Sequence, residues 1–123
     1  MSDHPTITLP PSAVVHSVTI SWKDGVGPDH GVRVAAALNS YAVTVPGLLF
    51  YHAGPDLGLR ENTADFGIVA LFDNRDNYVT YARDAQHQAI IAELVAPNAR
   101  ERISAQAAFS GSLPLSPSTP VNT

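Results

Sequence analysis

Two histidines and one tyrosine are the residues of this chain best placed to do chemistry. His87 heads the run His87-Gln88-Ala89-Ile90-Ile91-Ala92-Glu93-Leu94, three and four residues before Ile90 and Ile91 and seven before Leu94. On a regular helix that spacing puts it on the apolar stripe and not on the wet face. Burial disfavours the charged imidazole, so such a histidine stays neutral and able to accept a proton near neutral pH, the property of a general base. Tyr81 is its natural partner, because a phenol can fix the tautomer of the ring. On one continuous helix the six-residue step from Tyr81 to His87 amounts to about 600°, which separates their faces. The two meet only if the helix breaks at Asp84-Ala85. His16 is the third member, on the apolar face of a strand in which Val14, His16, Val18, Ile20 and Trp22 alternate with Val15, Ser17, Thr19 and Ser21. Taken alone, His16 reads first as a hydrogen-bonded core residue, and Tyr41 and Tyr78 read as core aromatics with hydroxyls near a rim.

Other chemistries find no support in the spacing. His4, His30 and His52 are scattered, and the five histidines form neither an i,i+4 pair nor an H-x-H, so no metal is expected. The absence of cysteine excludes disulfides, thiolate nucleophiles and Cys-ligated metal centres. Residues 54–58, Gly-Pro-Asp-Leu-Gly, form a turn and not a phosphate loop, lacking the Lys-Ser/Thr ending and a following helix.

At 123 residues, 45% hydrophobic and 15% charged, the composition fits one soluble domain. Seven Lys+Arg against eleven Asp+Glu give a formal charge of -4, with the basic residues scattered, so no nucleic-acid partner is expected. Neither a signal peptide nor an apolar run long enough to span a membrane is present, and a cytoplasmic protein is expected.

The elements that must position these residues can be read in order. Residues 1–12 carry Pro5, Pro10 and Pro11 and residues 110–123 are rich in Ser, Pro and Thr, which marks both as flexible tails around a domain at 13–109. After the first strand, Pro28 and Asp29 start a helix whose Val34, Leu38, Tyr41 and Val45 recur at helical spacing until Pro46 ends it. A strand at 47–53 and a loop through Ala64 follow. Residues 66–72 are apolar on both sides, the mark of a central strand or of one whose second face a partner covers. Asp73 reads as a helix cap, Asp84 as the cap of a second segment closed by Pro97, and 100–109 as a weaker strand with Ile103, Ala105, Ala107 and Phe109 on its apolar face. The order β-α-β-β-α-β is the ferredoxin-like arrangement of the α+β class, with helices on one face of a four-stranded antiparallel sheet. The mixed character of the other face suits burial against a second copy.

The succession of a strand histidine, the Val45-Pro46-Gly47 turn, Phe72-Asp73 through Tyr78 and Tyr81, and His87-Gln88-Ala89-Ile90-Ile91 resembles the stress-responsive dimeric α/β-barrel (Dabb) family over residues 14–109. That family includes a plant polyketide cyclase. The resemblance implies a homodimer whose two sheets form a barrel. It also implies an enzyme without metal or organic cofactor, with His87 as catalytic base, Tyr81 as its activating tyrosine and His16 lining the pocket. Phe66 stands where the cyclase has a further pocket histidine, and Ala35 and Leu38 where it has aromatic walls, so a different small, polyketide-like substrate is implied. With Trp22 and Tyr78 these residues are the expected substrate-binding set. The reaction implied is an intramolecular aldol closure of a poly-β-keto thioester, or a related lyase or isomerase step. Two alternatives stay open: a stress-type dimer that binds a small molecule without turnover, and a cofactor-free monooxygenase of the related barrel superfamily, for which Trp22 and Asn77 would furnish a Trp/Asn/His pocket.

Overall fold

The computed structural model describes residues 6–114. Its elements run β1 (Thr6–Leu9), β2 (Val14–Trp22), α1 (Asp29–Ala42), β3 (Leu48–Pro55), β4 (Phe66–Phe72), α2 (Arg75–Arg83), α3 (Ala85–Ile90) with a π-helical turn at Ile91–Val95, β5 (Ala99–Ala108) and β6 (Gly111–Pro114). The main sheet has the order β3-β4-β2-β5, every pair antiparallel, which is the ferredoxin-like fold expected.

Alternation in β2 decides which side faces the core. Val14, His16, Val18 and Ile20 are buried while Ser17 and Thr19 are exposed, so the apolar row lies beneath the helices. α1 repeats the same logic at helical spacing, burying Val34, Leu38 and Tyr41. It ends at Ala42, earlier than Pro46 alone requires: Thr44 N and Val45 N donate to Tyr41 O and Ala42 O, so tight turns replace the last helical bonds. Asn39 fastens α1 to the sheet by donating to Ala53 O at 2.8 Å and accepting from Ala53 N at 2.9 Å.

Asn74, and not Asp73, caps α2, its side chain accepting from Asn77 N at 2.8 Å. Asp73 instead accepts from the Asn77 side chain at 2.6 Å. Gly47 faces this pair at φ +76, and a Cβ there would collide with the Asn77 side chain.

The open face of the sheet is covered only in part within one chain. Leu71 is buried beneath Leu9 and Ala13, but Val69 remains 47% exposed, so β4 is not buried along its whole second face within one chain. The inner parts of the two expected tails are ordered, Thr6–Leu9 pairing with Gly111–Pro114 in a two-stranded ribbon anchored by Leu9. Main-chain pairing between residues this far apart carries no local sequence signal. Residues 1–5 and 115–123 lie outside the described residues.

Candidate active site

The break between α2 and α3 builds the site. Asp84 is extended, at φ -61 and ψ 134, and its Oδ2 accepts from Gln86 N at 3.1 Å and His87 N at 3.2 Å as the cap of α3. The same oxygen accepts from the Tyr41 hydroxyl at 2.9 Å. These bonds hold the Asp84 carboxyl below its ordinary range, the Tyr41 bond contributing most. The turn swings His87 back over the end of α2, and its ring centroid lies 4.1 Å from that of Tyr81. Past α3 the π-helical turn widens the helix, with Ala96 N donating to Ile91 O.

His16 rises from β2 on the other side. Its ring lies 6.0 Å from Tyr81 and 5.0 Å from Tyr78, and Gln106 Nε2 donates to its Nδ1 at 2.9 Å. That bond leaves Nε2–H as the remaining polar group of the neutral ring. Burial, helped by the charge His87 can carry, lowers the His16 pKa to about 4. Burial also lowers that of His87, with Arg102 adding to the effect and Asp84 opposing it. Tyr81 is pushed up to about 12, chiefly by burial, and remains a protonated donor. Tyr51 is raised further by burial. Its hydroxyl influences that of Tyr81, yet the geometry gives Tyr51 Oη no hydrogen-bond partner, and His87 Nδ1 is likewise buried without one.

Between the sheet and the second helical segment lies a cavity of about 460 Å³, bordered by His16, Tyr81, His87, Arg102, Ser104 and apolar residues including Ile20 and Ile91. This volume is within the range of small-molecule sites. A neutral histidine, a protonated phenol and a second neutral histidine around one apolar space can remove a proton and hydrogen-bond the oxygen that gains charge. Among the described residues no group of three or more His, Asp or Glu is arranged to hold a metal ion.

A family model described as the stress responsive A/B barrel domain, Dabb, matches residues 14–107. The chain belongs to the Dabb family. Among solved structures, this Dabb chain is similar to a dimeric ferredoxin-like protein of unknown function from Thermobifida fusca YX, at 30% identity and TM-score 0.76 over 88% of this chain and 100% of that one. It is also similar to a hydroxynitrile lyase from Passiflora edulis, at 16% identity and TM-score 0.70 over 85% and 100%. A third similar structure is a proposed antibiotic biosynthesis monooxygenase from Chloroflexus aurantiacus J-10-fl, at 17% identity and TM-score 0.63 over 81% and 95%. No curated protein matches the chain.

Within this Dabb domain, His16, Tyr81 and His87 come together, but the expected substrate-binding set does not. Trp22, Ala35, Leu38 and Phe66 pack in the core cluster that contains Val34, and none borders the cavity. Trp22 instead meets His30 at 4.8 Å and Phe66 at 5.7 Å. Tyr78 backs His16 and Phe72 without reaching the cavity wall. Asn77 is engaged with Asp73 and Asn74, so the Trp22/Asn77 pocket is not assembled around either site histidine. The residues that sequence reasoning missed, Arg102, Ser104 and Gln106, are alternate residues of β5. They pair with Ile20, Val18 and His16, which turns them toward the helices. No membrane-crossing helix competes with this reading, since none among the described residues is long and apolar enough.

Proposed function

We propose that this cavity is the site of a cofactor-free lyase or cyclase, with His87 as general base, and that its reaction is the intramolecular aldol closure of a poly-β-keto chain. The observation that carries the reading is the 4.1 Å contact of Tyr81 with a half-buried, neutral His87 over an apolar cavity. His87 takes a proton from a carbon between two carbonyls, and the electron pair moves onto a carbonyl oxygen as an enolate. Nε2–H of His16 and the Tyr81 hydroxyl are the donors available to that oxygen. The nucleophilic carbon then attacks a distant ketone of the same chain, and loss of water completes the ring. Such carbon acids are acidic enough for a positioned histidine and a folded substrate to suffice. The same fold serves a lyase in another protein.

The working unit in this reading is a homodimer. Val69, Ile103 and Phe50 are 47%, 58% and 53% exposed on the sheet face away from the helices, an apolar surface suited to a second copy. A structure 30% identical to this chain is described as dimeric.

The test is incubation of the protein and of His87→Ala with a linear poly-β-keto thioester, following ring product and oxygen consumption. Ring closure without oxygen uptake, reduced about 10²–10⁴-fold in a folded His87→Ala, is the expected result. Near-full turnover in that variant would overturn the base assignment. Oxygen uptake would assign a monooxygenase, and a ligand that binds but emerges unchanged would assign a binding role.

A further inference from the structure

We infer that the cavity takes an apolar monocarboxylate whose carboxylate is held by Arg102. This rests on the reading of the cavity as the functional site and deepens it by fixing the charge of the molecule held there, which is the free acid of the poly-β-keto chain and not its thioester.

The charge of the lining carries the argument. Its apolar wall is formed by Val18, Ile20, Ile68, Ile91, Ala92 and Ala96, and among the described residues Arg102 is the one permanently charged residue on it. Among the described residues no aspartate or glutamate borders the cavity, although the chain as a whole is acidic. Arg102 arrives there through the register of the sheet: it pairs with Ile20, which is fully buried on the helix side, and Ser104 and Gln106 continue the same row toward His16. From Arg102 to Gln106 the strand rises roughly 13 Å, so the row runs from a cation at one end to the histidine's partner at the other.

Arg102 is exposed, and an exposed guanidinium is solvated by water. A neutral ligand filling the apolar space would strip some of that water and return nothing. A carboxylate replaces the water with charge-assisted hydrogen bonds in the forked geometry that arginine favours. The groups around His87 give the anion a second effect. Burial and, to a smaller extent, Arg102 disfavour its protonation, while the Ala82 backbone and Asp84 favour it, so an anion on Arg102 relieves the repulsion from the guanidinium and makes the imidazole more basic.

The test is calorimetric titration of the full chain with octanoate and with octanamide, which share an apolar tail and differ in charge. Octanoate should bind about tenfold tighter at low ionic strength, with the advantage shrinking as salt is added. Arg102→Gln should abolish the difference and leave octanamide binding unchanged, and Arg102→Lys should restore part of it. In NMR titrations Arg102→Gln should raise the His87 pKa without ligand, a change that a merely structural role would not produce. Equal affinity for acid and amide in the unaltered protein, or binding of neither, would overturn the inference whether or not the variants fold. None of these readouts uses turnover, so an inactive enzyme that still prefers octanoate would sink the proposed reaction and leave the carboxylate site standing.

Discussion

Tyr41 reaches across from α1 to donate a 2.9 Å hydrogen bond to Asp84 Oδ2, the oxygen that also receives the backbone N–H of His87. One carboxylate oxygen therefore ties the first helix to the turn that aims the histidine. Asp84→Ala should remove the cap and the tie together, lowering the melting temperature and speeding amide exchange at Gln86 and His87. Asp84→Asn, whose amide oxygen can still cap, should retain most of the protection. Exchange in Asp84→Ala as slow as in the unaltered protein would show that this side chain does not hold the turn.

Tyr81 stays protonated through the ordinary pH range, so Tyr81→Phe should lower turnover by about tenfold, less than the loss expected for His87→Ala. The acid limb of kcat/KM should fall below the ordinary histidine value, because burial holds the His87 pKa down. An acid limb above 6.5 on a confirmed substrate would contradict a depressed His87.

Stability should fall on mild acidification. His16 titrates near 6.5 when unfolded but at about 4 when folded, so between these values the unfolded chain binds the extra proton. Its contribution is complete above the upper value, is lost as the pH falls to the lower one, and has a ceiling of about 3 kcal/mol. His87, also depressed, acts in the same direction. Asp84 adds a separate loss below its ordinary 3.8, because its folded pKa is lowered. Urea midpoints measured from about pH 7 to pH 4 should decline, and less steeply for His16→Gln. A flat profile in the unaltered protein would refute the burial account.

Gly47→Ala should destabilise the fold by about 1–2 kcal/mol or more, since alanine is strained at positive φ and its methyl meets Asn77. Chemical denaturation decides this, and an unchanged midpoint would mean that the turn relaxes freely.

Val69→Arg places a charge in the middle of the open sheet face and should convert a homodimer into a folded monomer. Light scattering reads the mass directly. A dimer that survives the substitution would have to use another surface.

How far the chain could be read in advance depended on whether the deciding contacts were local. The alternation of β2 and the cap at Asp84 are short-range features, so the side taken by His16 and the meeting of Tyr81 with His87 followed from neighbouring residues. β5 was harder. Its apolar residues Ile103, Ala105 and Ala107 look like the core row, but they pair with Thr19, Ser17 and Val15 on the open face. Arg102, Ser104 and Gln106 were passed over because polar residues facing the helices make sense only once a cavity lies there. The substrate wall failed for a related reason: Trp22, Leu38 and Phe66 have the right chemistry, but tertiary packing draws them into the solid core and away from the cavity wall. The ribbon of β1 and β6 depends on a pairing no local pattern announces.

The clasp of Asn39 on both backbone groups of Ala53 has a consequence for how the sheet meets other chains. β3 is an outer strand, and unpaired N–H and C=O groups on such a strand are a template for adding another. At Ala53 the helix side chain occupies both, so a foreign strand finds no register in the middle of that edge. The opposite margin, β5, is guarded by charge instead, through Arg100, Glu101 and Arg102. Asn39→Ala should therefore make the protein prone to self-association through β3 on storage, and a solution of this variant that stays as clear as the parent would show that the edge needs no such guard.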